Sequence, residues 1–142
     1  MRMKIRLKNN KKIITLILTT LVFLLIFSGC GQAKNNKENT YMQITAKEAK
    51  ALMNIETNYV ILDVRTEEEF IEAHIDGVIL IPDYEISSKA ESILTDKEQL
   101  ILVYCRSGRR SKSAANELST LGYTNVKEFG GIIDWPYEVV ND

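Results

Sequence analysis

The run Leu100-Ile101-Leu102-Val103-Tyr104-Cys105-Arg106-Ser107-Gly108-Arg109-Arg110-Ser111 decides how this chain is read. Its first five residues are continuously apolar, the pattern of a strand buried on both faces of a parallel sheet. A single thiol follows, then a short cationic turn with a glycine, then a helical pattern with Ala114, Ala115, Leu118 and Leu121 on one side. A helix is expected over Ser111–Leu121, ended by Gly122. Strand, thiol, turn and helix in that order aim backbone N–H groups at the sulfur.

Working outward, the same alternation recurs. Tyr41–Ile44 reads as a short edge strand, and Thr45 caps a helix over Ala46–Asn54 with Ala49, Leu52 and Met53 on one face. Tyr59–Leu62 is a second buried strand ending at Asp63-Val64-Arg65, and Thr66 with Glu69 forms a capping box for a helix through Ala73. Val78–Ile81 is a strand stopped by Pro82, and Ile86, Ile93 and Leu94 suggest one or two short helices. Beyond the thiol helix, Asn125–Phe129 gives one more strand, Gly130-Gly131 a turn, and Ile132–Val140 a short helix interrupted near Pro136. Strands alternating with short helices predict an α/β fold with a mainly parallel sheet. Ligands of such sheets bind beyond the carboxyl ends of the strands, where Cys105 falls.

A chain of 142 residues holds one domain with a real core but not two ordinary ones. Its start departs from the average: Arg2, Lys4, Arg6, Lys8, Lys11 and Lys12 precede Ile13–Phe27, an apolar segment interrupted only by threonines. That segment is shorter than the about 20 residues of a bilayer span. Its basic flank and small terminal residues predict a signal peptide over residues 1–29. It closes on Phe27-Ser28-Gly29-Cys30, which resembles the lipobox of bacterial lipoproteins, with phenylalanine where leucine is usual. The resemblance implies a lipid on Cys30 and a domain exported and anchored to the outer face of the bacterial cytoplasmic membrane. An uncleaved N-terminal anchor is the alternative and leaves the domain outside the cytoplasm as well. Residues 30–40, polar and rich in Asn and Lys, read as a flexible spacer, which leaves 41–142 as the folded domain.

With Cys30 carrying lipid, Cys105 is the one thiol of the domain, so neither an internal disulfide nor a cysteine metal cluster is expected. Without the six early cations, 12 Lys and Arg face 19 Asp and Glu, a formal net charge of −7. Against that background Arg106, Arg109, Arg110 and Lys112 concentrate positive potential beside the thiol, which points to anionic substrates. Nucleic acid is excluded as a partner, because no extended basic face with interleaved aromatics is present. A cysteine is nucleophilic only as thiolate, and helix N-termini and neighbouring cations favour that form. Gly108 lets successive N–H groups converge on an anion, and Ser107 and Ser111 add hydroxyls. Strand-end cysteines are often inert core residues. Four cations, a glycine and two serines at the functional edge of the sheet weigh against that here.

Ile61-Leu62-Asp63-Val64-Arg65, Glu69-Phe70, His74-Ile75, Gly77, Ile81-Pro82, Tyr104 to Ser111, Gly122-Tyr123, Asn125-Val126 and Gly130-Gly131 to Trp135 together resemble a single-domain rhodanese over residues 41–140. The resemblance implies a five-stranded parallel sheet flanked by helices on both faces and a sulfurtransferase working through a persulfide on Cys105. Arg106, Ser107, Gly108, Arg109, Arg110 and Ser111 would bind the sulfonate of a donor such as thiosulfate. Cyanide or a thiol would accept the sulfur, with no metal and no organic cofactor, in two-step covalent catalysis. The protein acceptor is open. The chain departs from the family's wording at Ala73, where glycine is common, and at Asp76, where proline is frequent.

Two other readings stay in view. Phosphatases and arsenate reductases of related fold use a similar cysteine loop, but they place an arginine after five intervening residues, whereas Arg110 follows Cys105 after four. A tethered sulfur-relay or binding module without turnover would carry the same turn. His74 is read as a structural hydrogen-bonding residue, Asp63 and Arg65 as an ion-paired scaffold bordering the site, and Trp135 and Tyr137 as core anchors. Glu67, Glu68 and Glu69 suit a helix N-terminus and have no histidine cluster to make a metal site.

Overall fold

The computed structural model describes residues 41–141. The signal peptide over 1–29, the spacer over 30–40 and Cys30 lie outside the described residues. In order come β1 (Met42–Gln43), α1 (Ala46–Ile55), β2 (Tyr59–Asp63), α2 (Glu67–Glu72), β3 (Ile79–Leu80), a 3-10 turn (Asp83–Glu85), α3 (Ile86–Ile93), β4 (Leu100–Cys105), α4 (Arg109–Thr120), β5 (Val126–Gly131) and a 3-10 turn (Ile132–Asp134). The five strands form one parallel sheet in the order β1-β5-β4-β2-β3.

β4 is central, and its six residues are all buried. Alternation divides them between two cores. Ile101, Val103 and Cys105 pack with Ile86 and Ala90 of α3 and Ala114, Ala115 and Leu118 of α4. Leu100, Leu102 and Tyr104 pack with Ala49 of α1, Ile61, Phe129 and Trp135. A strand apolar on both faces is thus the direct result of helices covering both sides of a parallel sheet.

The chain runs from β2 outward to β3 in one direction and from β4 outward to β5 in the other. The carboxyl ends of β2 and β4 therefore flank the point where the connections diverge, the usual binding crevice of open α/β sheets. Cys105 is the last residue of β4 and sits there.

Local chemistry fixes most boundaries. The Thr45 and Thr66 hydroxyl oxygens accept hydrogen bonds from the N–H of Glu48 and Glu69, whose carboxylates in turn accept the backbone N–H of Thr45 and Thr66, so both helices start with complete capping boxes. α4 ends in a Schellman motif: Gly122 at φ +95° lets its own N–H reach Ser119 O (3.1 Å) and that of Tyr123 reach Leu118 O (3.1 Å).

Three sequence expectations are corrected. α4 begins at Arg109, two residues before the expected Ser111, because Gly108 at φ +89° takes the cap position in a left-handed conformation. β5 runs on through Gly131 rather than turning at Gly130-Gly131; the pairs Val103 with Glu128 and Cys105 with Gly131 leave an extra residue in β5, a bulge around Gly130 at φ +92°. Ile132–Val140 is not a helix beyond its first turn. Pro136 cannot supply a helical N–H, and Val140 instead exchanges backbone hydrogen bonds with His74, both 2.8 Å.

Candidate active site

The sulfur of Cys105 lies under the turn that joins β4 to α4, and the residue is 1% exposed. Gly108 N–H donates to Sγ at 3.1 Å, and Ser111 Oγ, on the first turn of α4, lies 3.5 Å from it. Burial is the largest single influence on this thiol and pushes its pKa up. The Ser111 hydroxyl and the backbone N–H groups of Ser111, Ser107 and Gly108 act against it and together hold the thiol below its ordinary value. Hydrogen bonds to the anion thus outweigh desolvation.

The floor of the turn is β5. A Cβ on Gly131 would overlap the Arg106 carbonyl and come within 2.6 Å of Ser107 Cα, so only glycine lets the turn settle onto the strand. The Arg106 carbonyl also accepts the Ile133 N–H at 3.3 Å. Arg106, Ser107 and Arg109 are exposed around the mouth, while Gly108 and Ser111 are buried beside the sulfur.

The first turn of α4 carries Arg109 and Arg110 and no acid. Cations are unfavourable at the positive end of a helix dipole, so this placement adds positive potential at the thiol at some expense to the helix. Arg110 does not join the mouth as the sequence suggested. Leaving α4 from its second residue, it reaches α2 and forms a two-pronged pair with Glu69, Nη1 to Oε2 at 2.7 Å and Nη2 to Oε1 at 2.8 Å. Its charge still acts on Cys105 from there.

Asp63 and Arg65 are brought together on the opposite side of β4 from the sulfur. Arg65 donates from Nη2 to Asp63 Oδ2 (2.6 Å) and from Nε to both carboxylate oxygens (3.0 Å), and Nη2 also meets the Ala73 carbonyl at 2.6 Å. Tyr104, which faces away from Cys105 along the strand, donates its hydroxyl to Asp63 Oδ2 at 2.7 Å. Burial and then the Asp63 charge push that hydroxyl well above its ordinary pKa, so Tyr104 remains a donor. His74 stacks on Phe70 with ring centroids 3.9 Å apart and places Nδ1 2.9 Å from the Phe70 carbonyl. These residues brace the scaffold and do not touch the thiol.

One residue of the site escaped the sequence reading. Glu128 is 2% exposed; its Oε1 accepts the Ser111 hydroxyl at 2.6 Å and the Gly130 N–H at 2.9 Å. The signal was present in the strand's period of two, which puts Glu128 on the same inward face as Val126.

A family model for the rhodanese-like domain matches residues 45–136. The chain belongs to the rhodanese-like domain family. The rhodanese domain is 38% identical over 73 residues to thiosulfate sulfurtransferase PspE of Escherichia coli K12, a match covering 51% of this chain and 70% of that one. Longer relatives carry it as a part: the chain spans 19% of the tRNA sulfurtransferases of Shewanella. Among solved structures, a rhodanese with anions from E. coli is 34% identical, with a TM-score of 0.56 over 59% of this chain and 99% of that one. A rhodanese-related protein from Thermoplasma volcanium is 32% identical, with a TM-score of 0.63 over 72% of this chain and 100% of the other. A rhodanese-type sulfurtransferase, moving sulfur from a donor to an acceptor, is the general assignment that these relatives support.

Proposed function

We propose that the domain moves sulfane sulfur from an anionic donor such as thiosulfate to cyanide or a thiol through a persulfide on Cys105. The thiolate attacks the outer sulfur of the donor, the S–S bond breaks, and sulfite leaves with its electron pair. The acceptor's nucleophilic atom then takes the outer sulfur of Cys105–S–S⁻ and returns the thiolate. The observation that carries this reading is the buried Sγ of Cys105 with the Gly108 N–H at 3.1 Å and a thiol held below its ordinary pKa. A persulfide places negative charge on sulfur as the thiolate does, and the N–H groups of the turn suit both forms. Arg106 and Arg109, exposed at the mouth, draw in the sulfonate.

The deciding experiment treats the full chain with thiosulfate and measures the mass of the Cys105 peptide. A labile gain of about 32 Da, one sulfur, is expected; its absence refutes the carrier step. Cys105→Ser abolishes thiocyanate formation, and activity that survives it refutes the nucleophile. A relay without turnover predicts the mass gain with no multiple-turnover thiocyanate.

The N-terminal sequence supports an exported domain held at the membrane by lipid on Cys30. Cys30→Ala should release the chain from the detergent phase, and retention there refutes the lipid.

A further inference from the structure

Of the four cations that follow the thiol, one is answered inside the fold and three are not. Arg106, Arg109 and Lys112 are exposed, and among the described residues none of them forms an ion pair. Arg110 is half-buried, and both of its Nη atoms meet the Glu69 carboxylate, at 2.7 and 2.8 Å. This fork is the part of a guanidinium best suited to a pair of anionic oxygens. A sulfonate presents the same kind of pair, so Glu69 satisfies the portion of Arg110 that an anionic donor would attract.

Glu69 is itself held in place. Its Oε2 accepts the Thr66 N–H at 3.2 Å within the capping box of α2, so the carboxylate spans from the first turn of α2 to the first turn of α4. Those helices start just beyond the carboxyl ends of β2 and β4, on the crevice that holds Cys105. The two side chains are 17% and 23% exposed, so water screens them incompletely. Arg110 is the nearer charge to the thiol: Cys105 acts on Arg110, whereas the charges acting most on Glu69 are Arg110 and Arg65.

From this clasp between α2 and α4 we infer that Glu69 is a specificity-determining residue. As the counter-ion of Arg110 it lowers the positive potential at Cys105, and so limits the preference of the thiol for multiply charged anionic donors over net-neutral ones.

The inference deepens the proposed function and rests on it for the donors, while the potential is a property of the folded chain. Other charges act on the clasp without replacing it. Asp83, on the turn before α3, acts on Arg110 with no ion pair between them, and Arg65 acts on Glu69 while bound to Asp63. Thiosulfate carries two negative charges. The persulfide of cysteamine carries an ammonium and a persulfide anion and is net neutral. Its outer sulfur bonds to the Cys105 thiolate as the S–S bond breaks, and the cysteamine thiolate leaves with that electron pair.

The test is the ratio of the rates at which iodoacetate and iodoacetamide alkylate Cys105 in the full chain near neutral pH, read on its tryptic peptide. The reagents share a leaving group and differ by one negative charge. The thiolate fraction therefore cancels, and the ratio reports the potential at sulfur. At low ionic strength Glu69→Gln should raise the ratio about two- to fivefold, and Arg110→Met should lower it by at least as much. The double variant should lie between the wild type and Arg110→Met. In about 1 M salt, where the screening length is about 3 Å, these differences should collapse. An unchanged ratio in Glu69→Gln, or a change that survives high salt as altered packing would, overturns the inference. Should Glu69→Gln fail to fold by far-UV circular dichroism, an unchanged ratio in Arg110→Met overturns it equally.

With sulfur donors, Glu69→Gln should raise kcat/KM for thiosulfate relative to cysteamine persulfide by the same factor, chiefly through KM. A relative value that stays fixed while the alkylation ratio moves overturns the role in specificity. Because alkylation needs no sulfur donor, ordered and salt-sensitive ratios in a chain that forms no thiocyanate would uphold Glu69's control of the potential and refute the proposed function.

Discussion

The carbonyl of Arg106 rests directly on Gly131, the residue paired with Cys105 across β4 and β5. The two strands thereby set the height of the thiol turn. Gly131→Ala must lift the turn, because the overlap is with backbone atoms that have no rotamer to change. We expect a loss of about 1–3 kcal/mol in stability from overpacking. Thiocyanate formation should fall by about 100-fold, the scale of a 1 Å misplacement. Urea denaturation and steady-state rates check both, and wild-type activity in a folded Gly131→Ala chain would contradict the account.

The Asp63–Arg65 pair is a scaffold whose partners depend on each other. Arg65→Leu leaves Asp63, 0% exposed, without its cation. The expected cost is about 3–5 kcal/mol, measured as a shift in urea midpoint with unchanged slope. The fraction that remains folded should keep near-normal alkylation at Cys105, since the pair faces away from the sulfur.

Glu69 gives the domain a defined acid sensitivity. The hydrogen bond from Arg110 is the main cause that holds its carboxyl below the usual value. A depressed folded pKa contributes stability that is complete above the unfolded value, about 4.3 for Glu, and is lost as pH falls through the folded one. Stability of the wild type should therefore decline below pH ~4.3 more steeply than that of Glu69→Gln. A double-mutant cycle with Arg110→Met should return about 1 kcal/mol, because the pair is partly exposed.

Arg109 should act on substrate and on the helix in opposite directions. Arg109→Ala removes a cation from the positive end of α4, which should raise stability by about 0.3–1 kcal/mol. The same change should raise the KM for thiosulfate several-fold, most clearly at low ionic strength. A KM unaffected by the substitution at low salt would remove Arg109 from donor capture.

Much of this was legible because it is local. Thr45 and Thr66 announce their helices through side chains that reach three residues ahead, and Gly122 ends α4 with a backbone conformation that other residues resist. The apolar run Leu100–Tyr104 announces a central strand, because only a strand covered on both faces can bury every side chain. The fold class and the thiol turn follow from these. The misreadings share a different origin. Arg109 is helical because Gly108 turns left-handed beside β5, and Val140 is extended because His74 supplies its backbone partner from 66 residues away in the chain.

By itself, the sequence determined the elements, the parallel sheet and the position of Cys105 at the end of β4, since periodicity, caps and breakers act within a few residues. Only the tertiary structure decided which charges serve the thiol. Arg110 turns to Glu69, Gly131 carries the turn, and Glu128 closes on Ser111, because in each case the partner comes from another element and burial in the packed fold strengthens or penalises the contact.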